Sequence, residues 1–294
     1  MALTSRVADW QRLGTVERVG GHDIFVRERP GDAGLPPLLL LHGYPSSSYD
    51  WRDAFDLIAG HRLLTFDFLG FGLSDKPRDQ QYSLRIQADI AEELARRFAG
   101  EPIVMVAHDM GSSVATELLA RDLDGTLSFA PKSALLFNAS MVREQASLLL
   151  GQKLQLSRIG PLFARLTTES AFRHSFASIY SPAHPLTPAE AEDQWSLLKH
   201  NGGHRMLDKL IYYNQERVTP PTSARWHNAL RAWPGQLELA WAELDPICTE
   251  SVLQAVLALR PDTPVTRLPG LGHYPQVEDP KRAYEIIQRH ASNH

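Results

Sequence analysis

The sequence predicts an α/β fold in which one mostly parallel sheet of eight strands is flanked by helices and split by an inserted helical cap. Three observations predict it. In the first third of the chain, short apolar runs bounded by Pro and Gly alternate with stretches of helical period, as in strands buried on both faces and joined by crossover helices. From 141 to 221 those runs vanish, and breakers such as Gly160-Pro161, Ser181-Pro182, Gly202-Gly203 and Pro220-Pro221 separate helix-like segments. Strand-like runs then return. The expected division is a core at 1–140 and 222–294 with a cap at 141–221, which gives a place to the excess of 294 residues over one typical domain.

The strands at 15–19 and 22–29 flank Gly20-Gly21, a turn suited to an antiparallel pair. The runs at 37–41, 62–66, 103–107 and 133–138 read as central strands, and 237–242 and 265–268 complete the eight. Ile86, Ile90, Leu94 and Phe98 recur every four residues on a helix expected to end near Gly100, and Val114, Leu118 and Leu119 mark another after Gly111. Asp279 and Pro280 announce the last helix as N-cap and first residue.

Composition narrows the function classes. Hydrophobic residues at 43% and charged residues at 22% match a soluble globular chain, and Lys plus Arg at 30 against Asp plus Glu at 34, with no basic run, argue against nucleic acid as partner. The single cysteine, Cys248, rules out an internal disulfide and a cysteine metal cluster. No apolar stretch reaches the roughly 18 residues of a membrane span, and the N-terminus shows no secretory signal, so a cytoplasmic protein, monomer or homodimer, is expected. No cofactor is expected: Gly70 and Gly72 lack the third glycine of a dinucleotide fingerprint. Nor is a metal, since His200 and His204 are separated by Gly202-Gly203 and have no third ligand nearby in sequence.

The segment Ala107-His108-Asp109-Met110-Gly111 carries the chemistry. A buried strand runs through it into a helix, with small residues at 107 and 111 around a tight turn that lifts the central side chain to the helix N-terminus. That side chain is a carboxylate, not a hydroxyl. A carboxylate is ionised at neutral pH and displaces a leaving group at saturated carbon without a base, leaving an ester on Asp109 that water must cleave. Asp245, after the seventh strand, and His273, in the Gly-rich loop after the eighth, follow in the order nucleophile, acid, histidine. His273 then activates water and Asp245 fixes its tautomer, with Glu243 as the alternative acid. The backbone N–H groups of Tyr44 and Met110 are the candidate oxyanion hole. His42 and His108, beside the site, are expected to hold loops, and Asp67 with Gly70 and Gly72 to form a structural turn.

These motifs, together with His42-Gly-Tyr-Pro45, Asp67-Phe-Leu-Gly-Phe-Gly-Leu-Ser74 and Leu210-Ile-Tyr-Tyr-Asn-Gln-Glu-Arg217, resemble the α/β-hydrolases of the epoxide hydrolase and haloalkane dehalogenase group, and within it the mesoderm-specific transcript branch. The resemblance implies hydrolysis of a small, largely apolar organic substrate by water. It also implies that an epoxide hydrolase uses cap tyrosines to protonate the opening ring. Tyr213 of the Tyr212-Tyr213 pair matches that position, and Tyr180 is the one cap candidate for a second. A dehalogenase instead holds the halide with N–H donors, often a Trp directly after the nucleophile. Met110 stands there and offers none, which leaves Trp195. Epoxide hydrolysis to a diol is therefore expected first, with haloalkane dehalogenation, ester hydrolysis and a non-catalytic ligand pocket as alternatives. Trp51, Phe68, Trp195, Tyr180 and Tyr212, with Phe163 and Phe172, are the candidate pocket residues.

Overall fold

The computed structural model describes residues 2–98, 100–142 and 148–293. The eight strands are β1 Thr15–Val19, β2 His22–Arg29, β3 Leu38–Leu41, β4 Leu63–Phe66, β5 Ile103–His108, β6 Pro131–Phe137, β7 Gln236–Ala242 and β8 Val265–Leu268. They form one sheet in the order β1-β2-β4-β3-β5-β6-β7-β8, in which β2 runs antiparallel to β1 and β4 and the remaining pairs are parallel. All eight expected strands are present, with ends differing by a few residues at most.

Helices α1 Ser5–Arg12, α2 Ala54–Leu57, α3 Leu84–Ala95 and α4 Met110–Leu123 precede the cap. Between β6 and β7 lie α5 Leu150–Gln155, α6 Gly160–Arg165, α7 Glu169–Ala177, α8 Pro188–Lys199, α9 Leu207–Leu210 and α10 Tyr213–Glu216. Then follow α11 Pro220–Ala232, α12 Glu250–Leu259, α13 Pro275–Glu278 and α14 Pro280–Ser292. Helix α11 starts one residue before the cap end expected from sequence and packs on α4, where Trp226 Nε1 donates to Glu117 Oε2 at 2.7 Å.

Period-two alternation divides the central strands between two apolar layers. Leu39, Leu41, Met105 and Leu136 join α4 and α11 on one face, while Leu38, Leu40, Val106 and Phe137 join Trp51 and α14 on the other. Asp279 caps α14 by accepting from the Arg282 N–H, with Pro280 in the first turn as the sequence signal indicated. With both faces covered, polar side chains gather at the ends of β3, β5, β6 and β7.

Candidate active site

The turn between β5 and α4 holds Asp109 at φ 45°, ψ −116°, a strained conformation for a residue with a side chain. It persists because the neighbours leave no other path. A Cβ on Gly111 would lie 2.6 Å from the carbonyl oxygens of Leu41 and His42, and one on Gly43 would lie 2.8 Å from Asp109 Cβ. Strand β3 and the elbow thus approach to a distance only glycine permits at both positions.

The carboxylate is buried, at 3% exposure, and both oxygens are held. Tyr44 N–H donates to Oδ2 at 3.0 Å, and Ser140 Oγ donates to Oδ1 at 2.9 Å. Ser140 Oγ accepts from Arg217 Nη2 at 2.7 Å, and Arg217 Nε donates to Ser113 Oγ at 2.8 Å. A buried guanidinium thus reaches the carboxylate through one hydroxyl. Burial alone would raise the Asp109 pKa, but the charges of His273 and Arg217 and the Tyr44 N–H outweigh it and hold the group below its ordinary value.

His273 Nδ1 and Asp245 Oδ2 are 2.7 Å apart, and both side chains are buried. Asn138 Nδ2 donates to the same oxygen at 2.7 Å, while Ile247 and Cys248 N–H groups donate to Oδ1 at 2.7 and 3.1 Å. Both oxygens of Asp245 are saturated, which sets the ring orientation of His273. Its Nε2 is buried and has no protein partner among the described residues. Burial works against the imidazolium, yet Asp245, Asp109 and Glu278 outweigh it and raise the pKa to about 9. Glu243, the alternative acid, lies exposed on the surface 3.8 Å from Arg267. Cys248, Asp245 and His273 bring potential ligand atoms within 4.8 Å of one another. The hydrogen bonds just described already occupy the Asp245 oxygens, so the donor set is committed to orienting the histidine and not to a cation.

The flanking histidines hold loops. His42 bonds the Gly43 carbonyl and accepts from Phe68 N–H, and His108 Nε2 lies 2.6 Å from the His273 carbonyl oxygen. Burial lowers their pKa values to about 3 and about 4, so both are neutral. Asp67 accepts from Ser48 and from the Leu73 N–H, which closes the loop around Gly72. Met110 opens α4, where its N–H has no helical acceptor.

A cavity of about 290 Å³ lies beside Tyr44 under the helices between β6 and β7, walled by carbon from Leu149, Phe163, Phe172, Phe176, Ile179 and Leu207 among others. Three residues of its wall touch the site through their backbones: Tyr44, whose N–H is on Asp109, Ile179, whose carbonyl accepts from the His273 N–H at 2.8 Å, and Ile247, whose N–H is on Asp245. The Tyr44 hydroxyl donates to Gln155 Oε1 of α5 at 2.6 Å, and the Tyr44 ring lies 5.5 Å from that of Tyr213. Tyr213 is buried, with Arg217 over its ring at 4.3 Å. Burial first and the Asp109 charge second push its hydroxyl pKa above the ordinary tyrosine value.

Several candidate pocket residues lie elsewhere. Trp51 packs against Phe137 and Tyr284 on the far face of the sheet, because the turn carrying it folds under α14. Phe68 packs tilted against His42 and edge-on to Phe71, behind the turn at Gly43 and Tyr44. Trp195 sits behind Phe172, with ring centroids 5.5 Å apart, and does not line the cavity. Tyr180 stacks on Tyr274 and lines a separate cleft with Arg52 and Glu190. Tyr212 is half-buried and outside the cavity wall. Phe163 and Phe172 do line it. Sequence reasoning missed Ser140, Arg217 and Asn138. The one signal available was Asn138 at the end of the β6 run, where it turns the chain at φ 40°.

Among the described residues no helix is long and apolar enough to cross a membrane. The protein LipZ of Mycobacterium tuberculosis (strain CDC 1551 / Oshkosh), which is named as a hydrolase, is 48% identical over 275 residues, covering 94% of each chain. The mouse mesoderm-specific transcript protein is 33% identical, covering 95% of this chain and 85% of its own length. Among solved structures, the haloalkane dehalogenase DbeA from Bradyrhizobium elkani superposes with a TM-score of 0.77 at 19% identity, over 95% of this chain and 97% of that one, a likeness of fold. The family model matches residues 38–286, from β3 into α14, and the chain belongs to the alpha/beta hydrolase family.

Proposed function

We propose that this hydrolase works through an ester on Asp109 and opens an epoxide of a small, largely apolar molecule to a diol. The observation that carries the reading is the elbow carboxylate, ionised, pinned at both oxygens and set beside a histidine whose free nitrogen is buried. In the first step Asp109 Oδ1 forms a bond to a ring carbon, the ring C–O bond breaks, and the oxygen takes the proton of Tyr213. Asp109 loses its charge on becoming an ester. Tyr213 is then a better acid, since the Asp109 charge is one cause of its raised pKa, and Arg217 over its ring favours the phenolate.

In the second step water attacks Asp109 Cγ, His273 Nε2 takes its proton, and Oδ2 becomes the oxyanion that the Tyr44 N–H already meets. Loss of the Asp109 charge also lowers the His273 pKa at the step where the ring must be neutral. Collapse expels the alcohol oxygen with one proton of the water, and the other returns to Tyr213, so epoxide plus water balances to diol. The test is mass spectrometry of His273→Ala protein incubated with a panel of apolar epoxides. The expected result is an adduct of the epoxide's mass on the peptide containing Asp109; turnover without any adduct overturns the ester.

A further inference from the structure

The described residues include ten large apolar side chains that are substantially exposed, and four of them fall within α5, α6 and their junctions: Leu150 at 74%, Ile159 at 56%, Leu162 at 59% and Leu166 at 67%. Exposed carbon at this density on one segment is a docking surface or a liability. Three further facts belong to the same segment. From Leu148 through Thr168 the sequence contains no acidic residue, while Lys153, Arg158 and Arg165 are all exposed. Ile159, Leu162 and Leu166 also line the cavity, so the patch surrounds the cavity's outer edge. Finally, Arg165 borders a neighbouring cleft with Arg78, Arg205 and Lys209, against a single half-buried carboxylate, Asp208.

Apolar side chains interleaved with cations and flanked by a cationic groove, on a chain of net charge −4, match the face of a segment that lies in the plane of a bilayer interface. The cations meet anionic head groups, and the leucines enter the acyl boundary. We propose that α5 and α6 dock this enzyme reversibly on an anionic phospholipid bilayer, with the cavity opening toward the membrane, so that its apolar occupant is drawn from the lipid phase. The occupant's class follows: a lipophilic molecule that partitions into bilayers. The docking surface stands on geometry and charge alone and holds whatever chemistry Asp109 performs.

The test is flotation with vesicles of phosphatidylcholine alone and of phosphatidylcholine with about 30 mol% phosphatidylglycerol. Binding is expected to the anionic vesicles, to weaken with added salt, and to fall about tenfold or more in Arg158→Glu/Arg165→Glu and in Leu150→Asp, variants at exposed positions whose melting temperatures should match the parent. Binding unchanged by these substitutions, or no binding to anionic vesicles by the folded parent, overturns the proposal. So does a concentration-dependent dimer on gel filtration that Leu150→Asp abolishes, since a second copy would then cover the patch.

Discussion

The end of the sheet and the helical segment between β6 and β7 are built on opposite terms. Around Asp109 and His273 nearly every polar atom is buried and paired, and glycines at 43 and 111 bring backbones together at distances no other residue allows. Around the cavity the wall is mostly carbon, carried by short helices with part of their apolar surface in solvent. A preorganised polar site on strand ends fixes a reaction type, since its groups cannot relax to suit another. An apolar wall on short helices tolerates exchange, and so governs which molecule is presented. Changes in the first region should therefore act on the chemical step, and changes in the second on binding.

The largest expected effect is at the elbow. Asp109→Asn keeps the shape but removes the attacking charge, and turnover should fall by about 10⁴-fold with an unchanged circular dichroism spectrum. Retention of more than a few per cent of activity in freshly prepared protein would break the contrast. Trp51→Ala, in the core, should cost about 3–5 kcal/mol of stability in denaturant unfolding, whereas Phe163→Ala in the cavity wall should leave stability nearly intact and raise KM about tenfold for apolar substrates.

Tyr213→Phe should slow epoxide opening about 10²-fold and leave the breakdown of a preformed Asp109 ester unaffected, as separated by single-turnover kinetics. A smaller effect is expected at Arg217. Its charge helps keep Asp109 ionised, so Arg217→Met should move the acid limb of kcat/KM upward, with about a tenfold loss near pH 5 that narrows toward neutrality. A loss of equal size at every pH would assign Arg217 to packing alone. The His273 pKa is raised in the folded state, so its contribution to stability is complete below the unfolded value of about 6.5 and is lost as pH rises through about 9. Denaturant midpoints across pH 6 to 10 should decline accordingly, and His273→Gln should flatten that decline.

Legibility followed the range of the interactions. The central strands could be read because their buried runs are short, apolar and mostly bounded by Pro or Gly, and β1 and β2 because Gly20-Gly21 turns the chain between them, signals carried within a few residues. Asp109 could be read because its strain is created locally, by a strand, a turn and a helix in immediate succession. The Arg217–Ser140–Asp109 relay could not, since Arg217 and Ser140 meet across 77 residues and neither carries a local pattern. Aromatic residues gave the weakest guidance. Trp51 and Phe163 look alike as apolar side chains near loops, and only the packing of α14 against one and the cavity against the other separates them. Between β6 and α11, apolar positions on helices of four to twelve residues do not state which face meets the core.

The central claim is that Asp109 becomes covalently attached, and an isotope experiment reads it directly. Excess wild-type enzyme is allowed a single turnover of an apolar epoxide in water enriched in ¹⁸O. The account predicts that the first diol formed carries unlabelled oxygen from the carboxylate and that the label appears on the peptide containing Asp109. Label in the first diol, with Asp109 unlabelled, would mean direct attack by water and would contradict it.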